Sequence, residues 1–85
     1  MLELHKSAIR DIQVDWSDRY PGDALTSVSW TAGPGLQVLS TTFDGLTTVA
    51  FVEGQGTPMT TYVECTVNTQ GGRRDTYRVP IRLVG

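Results

Sequence analysis

The chain is poor in the residues from which catalytic and metal centres are built. Among 85 residues there is one cysteine, Cys65, and one histidine, His5. A lone cysteine excludes an intrachain disulfide, so the domain must hold together by packing or by assembly with neighbours. A single imidazole near the N-terminus falls short of the three or four ligands of a zinc site. Nothing approaches the roughly 20 apolar residues of a membrane span, and "MLELHKSAIRD" lacks the apolar core and small-residue cleavage site of a secretory signal. Synthesis and retention in a cytoplasm is the expectation. Charge of one sign is missing too: the formal net charge is -2, and non-specific nucleic-acid binding would call for a basic face. Direct contact with nucleic acid is therefore not expected, and neither is contact with a membrane.

Helical periodicity is also absent. No window sustains apolar residues at i, i+3, i+4 and i+7, whereas alternation with a period of two recurs along the chain. Ile12, Val14 and Trp16 alternate with Gln13 and Asp15, and a turn follows at Tyr20-Pro21-Gly22-Asp23. In "ALTSVSWTA" the less polar phase is Ala24, Thr26, Val28, Trp30 and Ala32, and Gly33-Pro34-Gly35 ends the strand. "LQVLSTTF" and "LTTVAFVE" flank Asp44-Gly45, a two-residue hairpin signal. "TTYVECTVNT" places Val63, Cys65 and Val67 inward. The last strand places Tyr77, Val79, Ile81 and Leu83 on one face and Arg78, Pro80 and Arg82 on the other. Pro80 has no N–H to donate, which predicts a free edge beside it.

With "LELH" as a short first strand, about seven antiparallel strands are separated by turns at roughly ten-residue spacing. One domain spanning residues 1–85 is predicted, an all-β two-sheet sandwich, with a small barrel as the alternative. The expected core is Trp16, Trp30, Val63, Cys65, Val67, Tyr77, Val79, Ile81 and Leu83. Cys65, between two valines, reads as a small hydrophobe rather than a reactive thiol.

No constellation for catalysis stands out. There is no "GxSxG" elbow, and GPG, GQG and QGG do not open a helix that could cradle a phosphate. Asp11, Asp15, Asp18 and Asp23 lack the spacing of a calcium loop and serve better as turn residues. No enzyme activity, metal or cofactor is predicted. What remains is a locally basic end: Arg73, Arg74, Arg78 and Arg82 fall within one closing hairpin, where Gly71-Gly72 supplies positive φ. These arginines are either a solvated strand face or a grip on the carboxylates of a protein partner, since guanidinium binds carboxylate bidentately.

Two stretches carry a family resemblance. "VDWSDRYPGDALTSVSWTAGPGLQVLSTTFDG" and "TTYVECTVNTQGGRRDTYRVPIRLV" contain Asp15-Trp16, Gly22-Asp23-Ala24-Leu25, Ser29-Trp30-Thr31 and Thr69-Gln70-Gly71-Gly72-Arg73-Arg74-Asp75. In these the chain resembles small virion proteins of tailed bacteriophages described as fibre-tail adaptors. The resemblance implies an immunoglobulin-like sandwich that acts by assembly. It would be made in the host cytoplasm and incorporated in many copies as a decoration or adaptor on a capsid, collar, tail or fibre protein. A different class of function is a small adhesion or carbohydrate-binding module using exposed Trp16 or Tyr20 as a sugar platform.

Overall fold

The computed structural model describes residues 2–85. Among the described residues seven strands form and no helix does: β1 (Leu2–His5), β2 (Ile9–Asp15), β3 (Leu25–Ala32), β4 (Leu36–Asp44), β5 (Thr47–Gly54), β6 (Met59–Thr69) and β7 (Arg74–Val84). They divide into a four-stranded sheet of order β1-β7-β6-β3 and a three-stranded sheet of order β2-β5-β4. The result is elongated, 41 × 18 × 16 Å. All pairs but one are antiparallel, which corrects the expectation of uniformly antiparallel strands. β1 runs parallel to β7, Leu2 opposite Ile81 and Leu4 opposite Leu83. The chain then crosses through Lys6–Ala8 into the other sheet, where the Ser7 N–H reaches the Gly54 carbonyl at 2.7 Å. A parallel neighbour follows from that crossing: one edge segment leaves its sheet and becomes the edge of the other.

The space between the sheets holds two apolar groups. One joins Leu4, Ile12, Ala50, Val52, Val63, Ile81 and Leu83, and the other joins Trp16, Leu25, Cys65 and Val67. Trp30 packs against both from a half-buried position. Its indole N–H donates across the interlayer to Thr48 Oγ1 at 3.0 Å, and that hydroxyl donates to the Thr42 carbonyl at 3.0 Å. Trp30 belongs to one sheet and Thr48 to the other, so a polar relay fixes their relative position inside an otherwise apolar layer.

Backbone irregularities reset the side-chain phase. A register shift between Leu25 and Ser27 turns Leu25 inward and Thr26 outward, so the inward set of β3 is Leu25, Val28, Trp30 and Ala32, not an unbroken alternation from Ala24. A second shift lies between Val38 and Ser40 of β4. The turns satisfy local chemistry. Asp23 N–H bonds the Tyr20 carbonyl with Gly22 at φ 79°, the geometry of a type II turn. The β4–β5 loop is Gly45-Leu46, one residue later than Asp44-Gly45, because Asp44 still pairs with Thr47. In the β6–β7 hairpin only Gly72 has positive φ, and Thr69 closes the loop with Arg73 and Gly72 through backbone hydrogen bonds. The second glycine is needed for a different reason. A Cβ on Gly71 would come within 2.9 Å of the Asp23 carboxylate.

Candidate functional site

The closing hairpin lands on the Trp16–Asp23 segment, and most of its charge is satisfied there. The Arg73 guanidinium donates to Asp23 Oδ2 at 3.0 Å and lies over the Tyr20 ring. Asp23 also accepts the backbone N–H groups of Ala24 and Gly71, at 2.8 and 3.1 Å. Donors converging on one carboxylate, the Ala24 N–H foremost, hold its pKa below the usual range. Two residues further on, Asp75 receives Tyr20 Oη and Arg19 Nη1 on the same oxygen, both at 2.7 Å, while its other oxygen accepts the Thr76 N–H. Those bonds, the Tyr20 hydroxyl first, lower the Asp75 pKa. The same bond raises that of Tyr20, whose proton is now shared with an anion.

Trp16 sits beneath this network, 3% exposed, with the Tyr20 ring stacked at 6.2 Å and the Tyr77 ring edge-on at 6.4 Å. Its indole N–H is buried without a hydrogen-bond partner. Cys65 lies in the same cluster, and burial pushes its thiol up to about 11, an effect only partly offset by the neighbouring indole. A thiol so placed stays protonated and inert at neutral pH.

Tyr77 corrects the sequence expectation. It shares its phase with Val79, Ile81 and Leu83, yet it is 46% exposed where Ile81 and Leu83 are buried. The cause is the short first strand. β1 covers β7 only from Ile81 to Val84, so Tyr77 faces a groove that opens toward β2, lined by Gln13, Val14, Asp15, Trp16, Asp18 and Arg19. Val79, at the boundary of the covered part, is half-buried. Val63, Cys65 and Val67 are fully enclosed in β6. Pro80 pairs with Tyr62, whose carbonyl turns away to accept the Gly33 N–H. The pair is thus of the non-hydrogen-bonded kind, and the missing N–H of Pro80 faces the edge away from β6.

Of the four arginines singled out in the sequence, Arg74, Arg78 and Arg82 lie exposed in one phase of β7, and three of the four have side-chain partners within the chain. Arg73 is bound to Asp23. Arg78 donates to Glu64 Oε2 from Nε and Nη2, at 3.3 and 3.1 Å, and lies 4.0 Å from the Tyr62 ring centroid. Arg74 Nε donates to Asn68 Oδ1 at 2.9 Å. Arg82 stands opposite Glu3 across the β1–β7 pair. Geometrically these groups brace the hairpin and strand β7. Among the described residues no group of three or more His, Cys, Asp or Glu side chains converges as metal ligands would.

What sequence reasoning passed over is on the opposite side. Ile9, Leu39 and Phe51 are 54%, 44% and 45% exposed on the three-stranded sheet. The signal was present in "TTVAFVE", where the largest apolar residue falls out of phase with Thr48, Ala50 and Val52, the residues that are buried.

A comparison with curated proteins finds no match. A family model, described as podophage GP4 fiber-tail adaptor protein gp77, matches residues 5–82, which takes in β2 to β6, most of β7 and both halves of the hairpin-tip network. That match covers nearly the whole chain, and the protein belongs to the podophage GP4 fibre-tail adaptor family.

Proposed function

We propose that the protein is a structural part of the virion that joins a fibre to the tail and does no chemistry of its own. The family match over residues 5–82 carries this reading. The internal bonding of its charged groups agrees with it. Arg19, Arg73 and Arg78 each hold a carboxylate of the same chain, and two of these pairs tie the closing hairpin to the Trp16–Asp23 segment. The strand order, with β1 parallel beside β7 and β5 between β2 and β4, supports reading the two sheets as an immunoglobulin-like sandwich. Several copies around a tail of higher symmetry, assembled in the host cytoplasm without direct contact to DNA, complete the proposal. Arg74 and Arg82, which make no ion pair among the described residues, are the arginines of the closing strand best placed to meet a partner's carboxylates.

The sugar-platform reading has less to stand on. Trp16 is enclosed, and the Tyr20 hydroxyl is engaged by Asp75. Mass spectrometry of purified particles, with negative-stain imaging of particles made without this protein, tests the adaptor reading. Tails that lack fibres are the expected result; fibres in normal number, or a protein absent from the particle, would refute it.

A further inference from the structure

The outward face of β2-β5-β4 is ordered in rows by the register. Ile9 lies beside Glu53 and Glu53 beside Gln37; Asp11 beside Phe51 and Phe51 beside Ser40; Gln13 beside Val49 and Val49 beside Thr42; Asp15 beside Thr47 and Thr47 beside Asp44. The shift between Val38 and Ser40 adds Leu39 to this surface. Val38 packs on the core, so Leu39 turns outward, and Ser40 opposite Phe51 does the same. Apolar side chains therefore occupy the middle of the face, while Asp11, Asp15, Asp44 and Glu53 stand among and around them.

None of those four carboxylates takes part in an ion pair among the described residues. Asp15 accepts the Ser17 N–H and Glu53 accepts Gln55 Nε2, at 2.9 Å each, which leaves their charge uncompensated. The one basic residue of the three strands, Arg10, stands in the other phase, opposite Val52. The contrast with the closing hairpin is sharp: there Asp23, Glu64 and Asp75 each meet an arginine of the chain, and here carboxylates stand without an ion pair around an aromatic centre. Interfaces are built on this plan, with an aromatic anchor desolvated at the centre and charge at the rim to select and steer the partner.

Resting on the adaptor reading, we propose that this face is a docking surface for another tail or fibre protein, one that presents an apolar socket for Phe51 ringed by lysine or arginine. The Arg74–Arg78 stretch of a second copy is not that partner, because Thr76, hydrogen-bonded to Thr66, stands between its arginines where the socket would have to be.

The test compares particles assembled with wild-type protein, Phe51→Ser, the pair Asp11→Lys and Glu53→Lys, and, as a control on the exposed side of β3 in the other sheet, Ser29→Ala, each first shown by circular dichroism to melt as wild type does. Copies per particle are measured by quantitative mass spectrometry. Truncation of an anchor of this kind weakens binding about thirtyfold, so Phe51→Ser and the charge-reversed pair should be nearly absent from particles, with Ser29→Ala at the wild-type level. Photo-cross-linking from benzoylphenylalanine at position 51 should capture a different virion protein through a peptide containing lysine or arginine. Normal incorporation of Phe51→Ser overturns the proposal, as does a cross-link to a second copy or to none. Failure of the wild-type protein itself to enter particles would instead refute the adaptor reading, so the two failures are distinct. Should Phe51→Ser misfold, Phe51→Leu with both charge reversals keeps an apolar residue in place and tests the rim alone; its incorporation at the wild-type level counts against the proposal.

Discussion

Replacing Thr48 with valine removes one oxygen atom and severs the only side-chain hydrogen bond recorded between the two sheets among the described residues. Thr48 is fully buried; its hydroxyl accepts from the Trp30 indole and donates to the Thr42 carbonyl. Each hydrogen bond contributes about 0.5–1.5 kcal/mol net, and a donor left without a partner in a buried site costs more. Against that loss stands the transfer of a methyl group in place of a hydroxyl, about 0.5–1 kcal/mol in favour of valine. The balance is a destabilisation of about 1.5–3 kcal/mol, which in a domain of this size lowers the melting temperature by roughly 6–24 °C. Urea denaturation of Thr48→Val, Trp30→Phe and the double variant measures it. A coupling of at least about 1 kcal/mol is expected, because each single change already removes the shared bond. Additive effects, or a Thr48→Val protein within about 0.5 kcal/mol of wild type, would refute the claim that the relay holds the two sheets in place.

Three further outcomes follow from the packing and the ionisation states. Ile81→Ala, at a fully enclosed site beside Leu2 in β1, should cost about 2–5 kcal/mol by urea denaturation, and Ile81→Val about 0.5–1.5 kcal/mol; equal effects would mean that the core relaxes around the gap. Asp15, Asp23 and Asp75 titrate below the usual carboxylate range in the folded chain, so the stability they contribute is complete above the unfolded value near pH 4 and is lost as the pH falls through their lowered folded values. Melting temperature should therefore drop below about pH 4, with a shallower drop in Asp75→Asn; an unchanged acid limb in that variant would mean that Asp75 is not a source of it. Cys65, its thiol pushed up to about 11, should react with a disulfide reagent at pH 8 only through unfolding, since about a thousandth of it is thiolate there. Rapid modification without denaturant would contradict its enclosure.

The sequence pattern discloses the strands because each carries turn chemistry at its ends, and it discloses most of the core of β6 and the end of β7 because Val63, Cys65, Val67, Ile81 and Leu83 alternate without interruption. It does not disclose how far a neighbouring strand extends. Tyr77 has the phase of a core residue and is open because β1 reaches only to the partner of Ile81, a length written elsewhere in the chain. The arginines were legible as a group, but their partners were not. Asp23 and Asp75 meet Arg73 and Arg19 only after the sandwich closes, across separations of 50 and 56 residues.

The outer face of the small sheet was hidden for a subtler reason. In β5, period-two alternation alone offers two inward sets, and hydrophobic volume favours Val49 and Phe51 over Thr48, Ala50 and Val52. The fold selects the less bulky set. Thr48 is needed to receive the Trp30 N–H, and Ala50 and Val52 lie fully enclosed at the centre of the interlayer. Phe51 is thereby forced to the surface beside Asp11 and next to Leu39, which the β4 bulge also turns out. A chain optimised only to fold would place a polar residue at each of these positions, since exposed apolar side chains gathered on one sheet face invite association. Where a local rule is broken without gain to the fold, the gain lies outside it. In this member of the fibre-tail adaptor family, the break falls on a sheet face whose carboxylates the chain leaves without an ion pair.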